Sequence, residues 1–239
     1  MNLKDDSSQK AITKQLICDN IESSNYQRIN TDNSNSHTFG IKGYQGYPTK
    51  PIEQDDLEFE HKIKNPTEIL RNKMNNNYYF KDKNDLNKIG ISLYEQGKYS
   101  EAEEYYIAAI ELDSNFKAAF NNLGNTLRKQ KKYNKALISY KKVLELDPIS
   151  KVAYNGIGNT FDYMKLFDEA IENYKKAISI DPNYKGAYNN MGKALENQKN
   201  YQDAINNYKK ALDIDPNDKI ARKNLKRCQA IYEVILEDK

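Results

Sequence analysis

The stretch that decides the fold runs from Lys117 to Ser150 and reads KAAFNNLGNTLRKQKKYNKALISYKKVLELDPIS. The pattern returns twice after it, at residues 151–184 (KVAYNGIGNTFDYMKLFDEAIENYKKAISIDPNY) and 185–218 (KGAYNNMGKALENQKNYQDAINNYKKALDIDPND). The same pattern also occurs before this stretch, at residues 83–116 (KNDLNKIGISLYEQGKYSEAEEYYIAAIELDSNF). A fixed 34-residue period indicates a chain built from stacked structural units.

Each unit carries two runs of apolar residues at helical spacing. In residues 117–150, Phe120, Leu123 and Leu127 share one helix face, and a second apolar face follows from Tyr133 to Leu144. Asp147-Pro148 ends the second helix, because proline blocks continuation and disfavours helical geometry in the residue before it. The pattern therefore predicts two antiparallel helices per unit.

Several positions recur, the glycine, alanine and tyrosine in all four units and the proline in the last three, where the first unit has Ser114, and we assign them structural roles. The small residues allow the two helices to approach closely, the tyrosines fill the space between them, and the prolines end the second helix. These positions are Gly90, Gly124, Gly158, Gly192, Ala102, Ala136, Ala170, Ala204, Tyr106, Tyr140, Tyr174, Tyr208, Pro148, Pro182 and Pro216.

The order aromatic, apolar-Gly, aromatic, Ala, aromatic, Pro resembles the tetratricopeptide repeat, over residues 83–218. The resemblance implies an all-α, right-handed superhelical solenoid of antiparallel helix pairs, and an adaptor or scaffold that binds other proteins within a larger complex. Residues 219–239 keep Ala221 and Leu225 but have Lys226 in place of the glycine. We expect them to form a C-terminal helix that caps the last apolar face.

The N-terminal part lacks this pattern. Residues 1–65 are rich in Asn, Ser, Asp and Lys, so we expect a disordered tail, followed by a short helix and linker over residues 66–82. Within the tail, Ile41–Pro48 resembles a short element of some proteins of ciliary doublet microtubules, although Lys42 stands where that element has proline. The alternatives are a structural component of cilia with a tubulin-binding tail, or an inert tail.

The first helices carry the candidate binding residues. Asparagine recurs one residue after the aromatic or leucine that faces the core, so we expect these side chains on the concave wall, in water and available to peptide backbone. Repeat duplication of a neutral residue is the alternative. The predicted groove residues are Asn87, Asn121, Asn125, Asn155, Asn159, Asn189, Arg128 and Lys193.

The resemblance also permits a test for a co-chaperone. Tetratricopeptide co-chaperones hold an acidic C-terminus through Lys and Asn on one first helix, Asn on the next, and Lys with Arg on the third. The first Lys is replaced here by Asn87, Asn121 or Asn155. The later pair is replaced by Val152 and Gly156, Gly186 and Asn190, or Ile220 and Asn224. A co-chaperone role is therefore disfavoured.

Other classes of function have little support in the residues. His37 and His61 lie in charged or tail sequence, and Cys18 and Cys228 have no metal-ligand spacing, so we predict no enzyme, metal or cofactor. A net charge of +3 disfavours nucleic acid. No apolar run is long enough for a membrane helix, and we expect a cytoplasmic protein. A lysine pair on each later second helix, such as Lys141-Lys142, indicates a solvated face.

Overall fold

The computed structural model describes residues 54–64 and 82–237, and the regular structure in these ranges is entirely helical. This confirms the prediction of an all-α chain of paired helices. The helices are α1 Gln54–Lys64, α2 Lys83–Glu95, α3 Tyr99–Leu112, α4 Lys117–Lys129, α5 Tyr133–Leu146, α6 Lys151–Tyr163, α7 Phe167–Ile180, α8 Lys185–Asn197, α9 Tyr201–Ile214 and α10 Lys219–Glu237.

The chain divides into two compact units, of which unit 1 ends at Ile149 and contains α1 to α5. Here α2 packs against α3, α4 packs against α5, and α3 packs against α4. Leu86, Tyr106, Phe120 and Tyr140 lie in the core, each at most 1% exposed. Each repeat thus buries the apolar faces of both its helices.

Unit 2 begins at Ser150 and contains α6 to α10. Its pairs are α6 with α7 and α8 with α9, and α7 also packs against α8. The last helix, α10, packs against α9 and α8, with Ala221 and Cys228 fully buried at that contact. Beneath it, Met191 and Leu195 on α8 are each only 8% exposed.

An aspartate follows each second helix, and in the first, third and fourth repeats its side chain bonds the turn. Asp181 Oδ1 accepts a hydrogen bond from the backbone N–H of Asn183 at 2.9 Å, and Asp113 Oδ1 does the same for Asn115 at 2.9 Å. The turn at Asp113 therefore forms although Ser114 stands where later repeats have proline. Lys151 also pairs with Asp181, and this hydrogen bond holds the pKa of the Asp181 carboxyl below its ordinary value.

The N-terminal prediction needs one correction. A helix, α1, occupies Gln54–Lys64, inside the range for which the sequence predicts a disordered tail. Its physical cause is tertiary, because α1 packs against α3 and α5 of unit 1. The Ile41–Pro48 element, the remainder of the tail before residue 54, and the short helix expected within 66–82 lie outside the described residues, apart from Asp82, which caps α2.

Candidate protein-binding surface

The predicted asparagines of the first helices are half-buried, and Asn87, Asn155 and Asn189 are hydrogen-bonded, whereas the sequence analysis expects them in water. In unit 1, Asn87 Oδ1 accepts a hydrogen bond from Asn122 Nδ2 at 3.0 Å. In unit 2, Asn155 Oδ1 accepts from Asn190 at 3.1 Å. Asn189, in the same unit, is bound in this way by α10, as described below. These bonds link neighbouring first helices within each unit.

These hydrogen bonds engage the amide oxygen of each acceptor asparagine and leave its amide nitrogen available. In the described part of the chain, the Nδ2 atoms of Asn155 and Asn189 donate no hydrogen bond, while Asn189 Oδ1 accepts from Asn224 at 3.1 Å. A bonded oxygen restricts the rotation of its amide, and this limits the directions that the N–H donors can take. The arrangement suits a backbone carbonyl of a bound peptide.

Sequence reasoning missed the partner asparagines Asn122, Asn190 and Asn224. Each follows its acceptor by 35 residues, one more than the repeat length, so a search for identical positions does not connect them. The residue 35 positions after Asn121 is Gly156, which has no side-chain amide. Asn121 Oδ1 is buried and has no hydrogen-bond partner in the described residues.

Asn125 and Asn159 have a different role from the other asparagines. Asn125 Oδ1 accepts from the hydroxyl of Tyr140 at 2.8 Å and from Arg128 Nη2 at 3.3 Å, and Asn159 Oδ1 accepts from Tyr174 at 2.9 Å. Burial raises the pKa of Tyr140 to about 12. These asparagines satisfy buried tyrosine hydroxyls, which would otherwise be costly. A contact with a ligand remains a prediction for Asn125, Asn159 and Arg128.

Lys193 replaces asparagine at this position in the fourth repeat, and its contacts differ accordingly. Its ammonium group pairs with Asp162 at 3.0 Å, with the lysine side chain 51% exposed and the Asp162 side chain only 7% exposed. Lys193 Nζ also lies 5.7 Å from the centre of the Tyr163 ring. Asn197 donates to the other oxygen of Asp162 at 3.4 Å. Lys193 therefore presents a partly neutralised cation on unit 2.

A second ion pair occupies the equivalent position one repeat further along unit 2. Arg227 of α10 binds Glu196 through two hydrogen bonds, of 3.0 Å and 2.8 Å. Without an asparagine at position 193, the Tyr208 hydroxyl donates instead to Glu196 at 2.8 Å, and burial raises the pKa of Tyr208 well above its usual range. Neither Asp162 nor Glu196 was among the predicted site residues.

Residues 54–64 and 82–237 contain no group of three or more His, Cys, Asp or Glu side chains placed to hold a metal ion. None of the helices in that same part of the chain is both long enough and apolar enough to span a membrane.

Repeated antiparallel helix pairs with a row of polar side chains on their first helices define a helical-repeat protein of the protein-interaction class. The chain belongs to the tetratricopeptide repeat family. The family model matches residues 85–116, 118–149, 152–184 and 186–218. No curated protein sequence matches the chain.

Solved structures include several with the same fold. The crystal structure of MamA is 26% identical, with a TM-score of 0.50 over 68% of this chain and 85% of that chain. A structure of Pseudomonas aeruginosa PilF is 17% identical, with a TM-score of 0.58 over 64% of this chain and 70% of that one. The first repeat domain of human RPAP3 is 22% identical, with a TM-score of 0.50 over 52% and 98%. The last two comparisons concern the fold alone.

Proposed function

We propose that this protein is an adaptor that binds an extended peptide or a helix of a partner protein on its first helices, as part of a larger complex. The observation that carries the proposal is that the amide oxygens of Asn155 and Asn189 in unit 2 are hydrogen-bonded, while their amide nitrogens have no acceptor in the described residues. Groups held in place before binding lose little entropy when a ligand arrives.

The chemistry favours a ligand recognised through its backbone. Each asparagine would donate to a peptide carbonyl, which is present in every sequence, and each such hydrogen bond contributes about 0.5 to 1.5 kcal/mol. Lys193, half exposed beside Tyr163, would add an interaction with an acidic or aromatic side chain. In unit 1, Asn87 offers the same amide geometry as Asn155.

The test uses the full chain and a synthetic peptide selected from a displayed random-peptide library. We expect the double variant Asn155→Ala, Asn189→Ala to bind the peptide at least about tenfold more weakly, since 1.4 kcal/mol is a factor of ten. Asn190→Ala with Asn224→Ala is the matched control. It removes the same two hydrogen bonds between helices but keeps the proposed donors.

The two variants separate binding from stability. Both are expected to melt at a slightly lower temperature, because both lose two half-buried hydrogen bonds. The control should lose only the part of the affinity that comes from orienting the donors, whereas the first variant should lose the hydrogen bonds to the peptide as well. Equal affinity in the two variants would show that the asparagine donors do not hold the peptide. A large loss on changing Lys175 and Lys209 to Gln would place the partner on the second helices.

A further inference from the structure

Among residues 54–59 of α1, whose side chains the structure describes, Asp56 and Phe59 are buried. Phe59 is 5% exposed and Asp56 is 7% exposed, whereas their neighbours Asp55 and Glu58 are exposed. Residues three apart share a helix face. Asp56 and Phe59 therefore form one face of α1, turned towards the second helices α3 and α5 with which α1 packs.

The surface of α5 provides an interaction partner for both Asp56 and Phe59. Asn134 Nδ2 donates to Asp56 Oδ2 at 3.0 Å, and Lys135 Nζ lies 5.6 Å from the centre of the Phe59 ring. A buried carboxylate is tolerated only with such donors, and a cation over an aromatic ring adds attraction. The pair Asn134-Lys135 thus recognises an acid and an aromatic residue on one helix.

This surface differs from the corresponding surfaces of the other repeats. Where the later second helices have a lysine pair, α3 has Ile107 and Ala108, which are 3% and 1% exposed. At the position of Lys135, repeats 1, 3 and 4 have Glu101, Glu169 and Asp203. Ile107 and Ala108 allow a partner helix to be buried against α3. Lys135, which stands where the other repeats have an acidic residue, favours a partner that carries a carboxylate.

We propose that this face of α3 and α5 is a second protein-binding surface, which accepts a short helix with Asp and Phe three residues apart. Its resident occupant is α1, and a partner helix with the same spacing binds by displacing it. The described contacts of Asp56 and Phe59 alone bury little surface. Tethering in one chain compensates, because it gives α1 an effective concentration on the order of millimolar.

The test is an NMR titration of the full chain with a synthetic peptide of residues 54–64. In the variant Phe59→Ser the resident helix is released, and we expect the peptide to shift the resonances of Asn134 and Lys135. In the wild-type chain the apparent affinity should be about tenfold lower or more, because the surface is mostly occupied. A peptide carrying Phe59→Ser should shift neither residue.

Matched variants show whether the surface is the proposed one. Adding Lys135→Glu to the Phe59→Ser chain should abolish the peptide-induced shifts, whereas adding Gln202→Ala, on the corresponding face of repeat 4, should leave them unchanged. Asp56→Ala is a second way of releasing α1 and should also increase peptide binding. Equal affinity for the wild-type and released chains, no binding to either released chain, or insensitivity to Lys135→Glu would overturn the proposal.

Discussion

Gly97 and Lys165 hold the same left-handed backbone conformation, with φ angles of 76° and 63°. Both lie in the turn between the first and second helices of a repeat, and Lys131 and Lys199 take the same angle in the other two repeats. The left-handed region costs a residue with a Cβ roughly 1 to 2 kcal/mol relative to helical geometry. Three of the four turns therefore carry a strain that the first turn avoids.

The turn gives a pair of predictions with opposite signs. Replacing Lys165 with Gly should relieve this strain and stabilise the protein by about 0.5 to 1 kcal/mol, after the greater flexibility of glycine in the unfolded chain is subtracted. Gly97→Ala should destabilise it by a similar amount, although an added Cβ would meet no atom within 4 Å. Urea unfolding measures both. A loss of stability in Lys165→Gly would contradict the account.

The glycine of each first helix lies against the tyrosine of the second. An ideal Cβ on Gly158 would stand 2.6 Å from Cε1 of Tyr174 and 3.1 Å from the carbonyl oxygen of Ala170. Gly158→Ala should therefore cost about 1 to 3 kcal/mol through overpacking. Gly186→Ala is the control, because its Cβ would meet Tyr184 no closer than 3.7 Å. That variant should be neutral or slightly stabilising, since alanine is the better helix former.

The contact between α10 and α8 depends on Arg227. Its partner Glu196 is only 12% exposed in its side chain, so Arg227→Met should leave a mostly buried carboxylate with Tyr208 as its remaining donor. We expect a loss of about 1 to 2 kcal/mol in thermal or urea unfolding. Lys226→Met alters an exposed neighbouring position on α10 and should stay within about 0.5 kcal/mol of the parent. Equal melting of the two variants would show that the ion pair does not hold α10.

The buried tyrosines predict instability at alkaline pH. Burial raises the pKa of Tyr140 to about 12, whereas an unfolded tyrosine titrates near 10. As the pH rises, the Tyr140 hydroxyl ionises in the unfolded chain before it ionises in the folded one. Its contribution to the free energy of unfolding is therefore fully present below pH 10 and is lost as the pH rises through 12, by on the order of 2 to 3 kcal/mol. Tyr140→Phe should lower stability at pH 7 by losing the bond to Asn125 but reduce the fall between pH 10 and 12. Urea midpoints across that range test this, and an unchanged slope would contradict it.

The repeat pattern determines most of the fold because its signals are local. Helix periodicity, Asp-Pro stops and the small residues predict where helices begin, end and approach, and no distant contact is needed. The helix α1 is different. Its sequence QDDLEFEHKIK is mostly polar, and its placement depends on Asn134, which lies 78 residues away. A contact between two residues so far apart produces no repeating pattern in the sequence, so the pattern does not predict it.

The sequence does not predict the environment of the candidate site residues. Helix spacing describes one helix at a time, and on its own helix each of Asn87, Asn155 and Asn189 is expected in water. Their oxygens are bound by residues of the next first helix, and this depends on how neighbouring helices are offset. The ion pair between Lys193 and Asp162 likewise joins two helices. Helix spacing alone does not give these pairings.

The ion pair of Arg227 with Glu196 also bears on how nearly identical units assemble in the right order. The position of Glu196 is held by Tyr94, Arg128 and Asp162 in the preceding first helices. If α10 folded against repeat 2, Arg227 would meet the like charge of Arg128, and on repeat 1 it would meet Tyr94, which has no carboxylate. Asp162 is already paired with Lys193. Charge complementarity at this position therefore favours the pairing of Arg227 with the fourth repeat over pairing with any of the first three.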